Sequence, residues 1–167
     1  MTFAELNQLP ENDLKEHLRQ CCGSTRWVDR MAAEFPMEDT RHLMNAAELI
    51  WWELDHHDWL EAFSHHPKIG DIDSLRKRFA ATREWAGTEQ KGVESASEQI
   101  LHRLADGNDR YEEKFGYIFI VCATGKTAGQ MLELLEDRLD NDPEEEIKIA
   151  AGEQNEITKL RLEKLLS

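Results

Sequence analysis

Apolar residues recur along most of this chain at the three- and four-residue spacing of amphipathic helices, and the pattern is interrupted once. Proline stands only at positions 10, 36, 67 and 143, each where a helix would begin or stop. Leu9-Pro10-Glu11 opens a helix to about Gln20, with Leu14 and Leu18 on one face. Gly23 punctuates, and Ser24 can cap a helix to about Phe35. Thr40 starts another, through Leu43, Ala47, Ile50 and Leu54. Asp55 can cap a short helix that Pro67 ends, because the residue before a proline avoids the helical region. Residues 74–92 are polar and read as two short helices. Ser95 to about Phe115 carries Ile100, Leu101 and Leu104 as its stripe, and Thr127 to Leu139 carries Met131, Leu134, Leu135 and Arg138. The final helix has Asp142 as cap, Pro143 at its first position and glutamates 144–146 in its first turn, all suited to the positive end of a helix dipole.

The interruption is Tyr117-Ile118-Phe119-Ile120-Val121-Cys122, an unbroken apolar and aromatic run between Gly116 and Gly125. No second run of matching strength could pair with it as a strand. It reads as a buried extended segment near Phe119–Ala123 inside an all-α fold, with a turn of core helix as the alternative. Backbone donors in such a segment need partners other than a sheet, and a bound ligand is one possibility. The length of 167 residues predicts a single domain over residues 1–167, large enough to bury a core without staples.

Charge narrows the partners. The formal net charge of -14 leaves no excess of Lys and Arg to meet phosphates, so nucleic acid is excluded as a partner. An anionic small molecule is not excluded, because one local cluster of donors can override the global field. Cys21, Cys22 and Cys122 form no recurrent spacing and predict a reducing, cytoplasmic setting. No basic start followed by an apolar run opens the chain, no apolar stretch is long enough to span a bilayer, and the ending Lys164-Leu165-Leu166-Ser167 is not a Ser-Lys-Leu peroxisomal address. The expectation is therefore no membrane.

Several residue groups carry candidate chemistry. His56, His57, His65 and His66 cluster, and His57, Glu61 and His65 stand four residues apart on one helix face. That spacing permits a metal site, against the plainer reading of a solvated polar face. No second His-Glu cluster or nearby cysteine completes a ligand set, so no metal is expected. His66 differs because Pro67 follows it and restricts its backbone, which aims the imidazole. A group with an ordinary pKa near 6.5 can shuttle protons near neutrality. Glu89-Gln90 sets a carboxylate beside a carboxamide, or is simply an exposed helix turn. Arg161 falls within the apolar stripe of the last helix, which holds Ala150, Ala151, Ile157, Leu162 and Leu165, with Gln154 and Thr158 beside it. A buried arginine needs an internal carboxylate or an anionic ligand.

In chain order, Cys22-Gly23-Ser24-Thr25-Arg26-Trp27, Phe63 to Asp71 with His66-Pro67-Lys68-Ile69-Gly70, Trp85 to Gly92 with Glu89-Gln90, Lys114-Phe115-Gly116-Tyr117 through Thr124-Gly125-Lys126, and Ile157-Thr158-Lys159-Leu160-Arg161-Leu162 resemble the 2-oxo-4-hydroxy-4-carboxy-5-ureidoimidazoline (OHCU) decarboxylases. Each stretch is weak alone; together and in order they are specific. The resemblance implies an all-α fold of that family's type, a homodimer, no cofactor, and the small-molecule substrate OHCU. The implied reaction is decarboxylation to (S)-allantoin, the last step of urate-to-allantoin conversion in purine catabolism. By position, His66 is the implied catalytic acid/base and Glu89 its carboxylate partner. Pro67, Gln90 and Arg161 are implied substrate contacts, and Phe119, Ile120, Val121, Cys122 and Ala123 the backbone lining the pocket. Ala86 departs from the pattern, since many members carry a serine three residues before the glutamate; a hydroxyl contact is missing at that substrate-side position. Two rival readings are a metal-dependent hydrolase built on the histidine cluster and a non-catalytic acidic helical interaction module.

Overall fold

Short polar side chains set the helix starts. Ser24 Oγ accepts from the Trp27 N–H at 3.3 Å, Asp39 Oδ1 from His42 at 2.8 Å, Asp55 Oδ1 from Asp58 at 3.1 Å and Thr127 Oγ1 from Gln130 at 3.2 Å. Each bond satisfies one of the first-turn N–H groups that a helix leaves without an internal acceptor. The computed structural model describes residues 1–68, 71–80 and 91–167, and the side chains of these except at residues 80 and 91–97. Its helices are α1 (Phe3–Gln8), α2 (Glu11–Cys21), α3 (Thr25–Ala33), α4 (Thr40–Glu53), α5 (His56–Ser64), α6 (Ile72–Ala80), α7 (Lys91–Phe115), α8 (Ala128–Leu139) and α9 (Pro143–Leu165). Among the described residues there is no strand. The all-α expectation holds. Of the two short helices read in residues 74–92, α6 is present, and residues 81–90 lie outside the described residues. The pattern missed α1, whose six residues are too few to display a repeat; Thr2 and Glu5 form its capping box and Leu6 is buried.

The helices fall into two compact units, Met1–His66 with Ile147–Ser167, and Pro67–Glu146. In the first, indole N–H groups are satisfied by carbonyls of neighbouring turns. Trp27 Nε1 donates to Ala47 O at 3.1 Å, Trp51 Nε1 to Ala151 O at 2.9 Å and Trp59 Nε1 to Trp51 O at 3.1 Å. Large apolar rings are thereby buried without stranding a donor. The buried face of α9 in this unit runs Ile147, Ala150, Ala151, Gln154, Asn155, Thr158 and Leu162, a three-and-four spacing that includes three polar residues. Ile157 and Leu165, read as part of the stripe, are only half-buried.

The second unit packs Leu75 and Phe79 of α6, Leu101, Leu104 and Tyr111 of α7, and Ala128, Met131, Leu132 and Leu135 of α8 into one core. Gly116 and Gly125, at φ +84° and +76°, bound the non-helical segment between α7 and α8. Both sit in the left-handed region, where a side chain would be strained. The expected break in the helical pattern is therefore present. Its burial is less complete than read: Ile120 is buried, while Phe119, Val121, Cys122 and Ala123 are half-buried.

What anchors that segment is charged. Arg138 and Glu146 are both buried. The Arg138 guanidinium donates to Glu146 from Nε at 2.9 Å and from Nη2 at 2.6 Å, and from Nη1 to the Ile120 carbonyl at 2.7 Å. It also lies 4.5 Å from the centroid of the Phe119 ring. The Tyr111 hydroxyl donates to Glu146, and Asn141 Nδ2 reaches the second carboxylate oxygen at 3.1 Å. Burial alone would pull the Arg138 guanidinium down from its ordinary pKa, but its hydrogen bonds and charge contact with Glu146 outweigh that and raise it. Glu146 is thus an interior partner of Arg138, in addition to sitting in the acidic first turn of α9.

Removing one member of a buried pair leaves an uncompensated charge, at about 3–5 kcal/mol. Glu146→Leu should lose stability on that scale in urea denaturation. The double variant Arg138→Met/Glu146→Leu should recover much of the loss; a single-variant loss below about 1 kcal/mol would mean the pair is solvated.

Candidate active site

His66 is held at the end of α5. The His65 and His66 N–H groups donate back to Ala62 O and Phe63 O, each at 3.2 Å, and Pro67 then ends the turn. The His66 ring is half-buried, with Nε2 at 2.5 Å from Gln154 Oε1. Gln154 is fully buried on α9, and its Nε2 donates to Thr158 Oγ1 at 3.1 Å. Burial pushes the His66 imidazole below its ordinary 6.5; the Gln154 bond offsets part of this, and the charges of Arg161 and His65 add to the lowering. A neutral ring near pH 7 can accept a proton, as a general base must.

The other histidines have separate structural positions. His56 stacks on Trp59 with ring centroids 5.3 Å apart, and His57 is exposed. His65 packs over Gly23: a Cβ at position 23 would lie 2.5 Å from His65 Cγ, so only glycine admits the ring there. Glu61, the carboxylate of the candidate metal face, caps α3 instead, accepting from Thr25 N at 2.7 Å and Thr25 Oγ1 at 2.9 Å. Among the described residues no three His, Cys, Asp or Glu side chains form a group able to hold a metal ion. The face read as a possible metal site is a cap and a packing surface.

Arg161 corrects the sequence reading. It is exposed, and its described hydrogen bond runs from Nη1 to the Gln20 carbonyl at 3.3 Å, with no carboxylate partner among the described residues. Helical periodicity places a Cα, whereas a long flexible side chain can carry its head out to water. The charge still reaches the site, since it bears on His66, Cys21 and Cys22. Pro67 is exposed. Glu89, Gln90 and Ala86 lie outside the described residues.

In the segment Phe119–Ala123, carbonyls are used internally: Ile120 O accepts from Arg138, and Cys122 O from Lys126 Nζ at 2.6 Å. Among the described residues none of the five N–H groups of Phe119–Ala123 makes a hydrogen bond. Gln154 was not singled out as functional from the sequence, although a signal was present: a carboxamide four residues before a threonine on an otherwise apolar helix face.

Fold and site together define an all-helical protein with a neutral, anchored imidazole suited to acid/base work. The chain belongs to the OHCU decarboxylase family, whose model matches residues 7–163. It is 36% identical over 153 residues to the "Uric acid degradation bifunctional protein TTL" of Arabidopsis thaliana, a match covering 92% of this chain and 47% of that protein. The chain thus spans about half the length of that relative. A 2-oxo-4-hydroxy-4-carboxy-5-ureidoimidazoline decarboxylase of Halalkalicoccus jeotgali is 26% identical over 99% of this chain and 92% of its own length. Among solved structures, an OHCU decarboxylase crystallised in the presence of (S)-allantoin matches with a TM-score of 0.72 and 37% identity, covering 90% of this chain and 97% of that one. An (S)-allantoin synthase matches in fold, with a TM-score of 0.70 and 19% identity over 98% of this chain and 54% of that one.

Because the folded-state pKa of His66 lies below 6.5, its contribution to stability is present above that pH and is lost as pH falls through the lowered value. The melting temperature of the wild type should therefore fall more steeply between about pH 7 and pH 5 than that of His66→Asn. Parallel curves would mean that the ring is solvated in the folded state.

Proposed function

We propose that this chain converts OHCU to (S)-allantoin and carbon dioxide without a metal or organic cofactor, as a cytoplasmic homodimer in urate breakdown. The observation that carries the reading is the anchored, neutral His66 imidazole in a member of the OHCU decarboxylase family. The family model runs from residue 7 to residue 163, which supports treating residues 1–167 as one functional domain. No helix among the described residues is long and apolar enough to cross a membrane. Leu49 and Trp52 on α4 and Ile149 on α9 are exposed, and such apolar side chains support self-association.

The chemistry asks little of a cofactor. The C–C bond to the carboxylate breaks, carbon dioxide leaves, and the electron pair moves toward the C=N bond beside it in the substrate. The hydroxyl on the reacting carbon becomes a carbonyl as it gives up its proton, and the neighbouring carbon is then protonated from one face. His66 takes the hydroxyl proton. Glu89 orients the imidazole or holds the ureido nitrogens, and Gln90 and Pro67 shape the site. The Arg161 fork, with most of its N–H donors unused among the described residues, holds substrate oxygens. The N–H groups of Phe119, Ile120, Val121, Cys122 and Ala123 supply further donors. Ala86 offers no hydroxyl at a position where many relatives carry a serine.

Optical activity separates catalysis from background, because spontaneous decay of the substrate gives racemic allantoin. Freshly generated OHCU followed by circular dichroism should yield (S)-allantoin with this protein; a racemic product at the spontaneous rate would eliminate the reading. His66→Asn should lose about 10²–10⁴ in rate and His65→Asn far less. Equal losses would point to the wrong histidine.

Glu89→Gln keeps shape and removes charge. Turnover should fall much more than affinity for an allantoin-like ligand measured by calorimetry. A change in affinity alone would make Glu89 a binding residue.

A further inference from the structure

The hydrogen bond on His66 belongs to a longer chain within the same unit. Gln154 Oε1 meets His66 Nε2 at 2.5 Å, and Gln154 Nε2 meets Thr158 Oγ1 at 3.1 Å. The Thr158 side chain also interacts with the thiol of Cys22, whose sulfur accepts from the Ser24 N–H. Gln154, Thr158 and Cys22 are all buried, at 0%, 3% and 0% exposure, so water does not supply alternative partners.

Donor counting gives this chain a direction. Gln154 turns its amide nitrogen toward Thr158 Oγ1, which accepts from it. The other end of the carboxamide, Oε1, then faces His66 and carries no proton to give. His66 must supply the proton from Nε2, and a neutral imidazole has only one. Nδ1 is left bare.

We propose that Cys22, Thr158 and Gln154 are positioning residues that lock His66 in its Nε2–H form, so that Nδ1 is the atom that exchanges a proton with the substrate. The part about the substrate rests on the reaction proposed above; the lock itself does not. It also gives a role to two stretches that the reaction left unassigned, Cys22-Gly23-Ser24 at the start of α3 and Gln154 with Thr158 on α9. The neighbouring thiols do not compete for the proton: burial pushes Cys21 up to about 11 and Cys22 up to about 12. Among the described residues the charged groups that act on the ring are Arg161 and His65, and both favour its neutral form.

The test uses the whole chain with ¹⁵N-labelled histidine and needs no substrate for its first arm. Long-range proton–nitrogen spectra of the wild type at neutral pH should show His66 protonated at Nε2 and bare at Nδ1. Gln154→Glu places a carboxylate against Nε2–H and should raise the His66 titration midpoint by about 1–3 pH units. The acid limb of kcat/KM should move up with it. Thr158→Val, close in shape and with no oxygen, releases the amide. It should lower kcat by up to about 100-fold with KM little changed, while the Nε2–H signal exchanges faster with solvent. Should Gln154→Glu fail to fold, the wild-type spectrum and Thr158→Val decide the matter alone. A proton found on Nδ1 in the wild type, or a Thr158→Val protein with unchanged Nε2–H exchange and unchanged kcat, overturns the proposal. If the spectra behave as expected and the wild type produces no (S)-allantoin, the lock stands and the proposed reaction falls.

Discussion

The Arg138–Glu146 pair is the constraint on which the second unit turns. A guanidinium and a carboxylate buried together are tolerated only when nearly every proton and lone pair has a partner. Here Tyr111, Asn141 and the Ile120 carbonyl provide those partners. The pair therefore does more than neutralise itself. It binds a backbone carbonyl in the non-helical segment between α7 and α8, and it lies against the Phe119 ring. Gly116 and Gly125 allow the chain to leave and rejoin helices on either side. Carbonyls of Ile120, Cys122 and Ala123 are engaged, while among the described residues the N–H groups of Phe119–Ala123 have no hydrogen-bond acceptor.

A parallel economy governs α9. Its buried face contains Gln154, Asn155 and Thr158, each of which would be expensive there without a partner. Asn155 meets Glu48 at 3.3 Å, and Gln154 and Thr158 satisfy each other and reach His66 and Cys22. Polar residues on an otherwise apolar helix face thus fix one side chain that has chemical potential. The same helix begins with Glu146 in its first turn, so both polar clusters draw on α9.

Burial also sets the working state of the groups near His66. The imidazole is pushed below its ordinary value and is neutral near pH 7, and the adjacent thiols are pushed up and stay protonated. The exposed Arg161 adds positive potential without taking the ring's hydrogen bond. This neighbourhood favours an imidazole that accepts a proton over one that already carries it.

Local chemistry was legible in the chain itself. Proline positions, the caps Ser24 and Asp55, and the three-and-four spacing of apolar residues determined the helices, because those signals act within a few residues. The same locality explains the recognition of the non-helical run between Gly116 and Gly125, and the family likeness carried by short motifs in order. The misreadings concern side chains whose partners are distant in sequence. Arg161 falls on the buried side by angle yet ends in solvent, since a long side chain is free to leave the direction of its Cα–Cβ bond. Glu61 shares a face with His57 and His65 yet caps a helix thirty-six residues earlier. Glu146 does sit in the acidic first turn of α9, as its position indicated, and its burial against Arg138 is what packing added. His66 could be nominated from Pro67, but its anchoring by Gln154, eighty-eight residues away, required the tertiary structure. Sequence determines where a backbone turns and which faces are apolar; only packing decides which polar atoms must find one another, because that requirement arises when water is excluded.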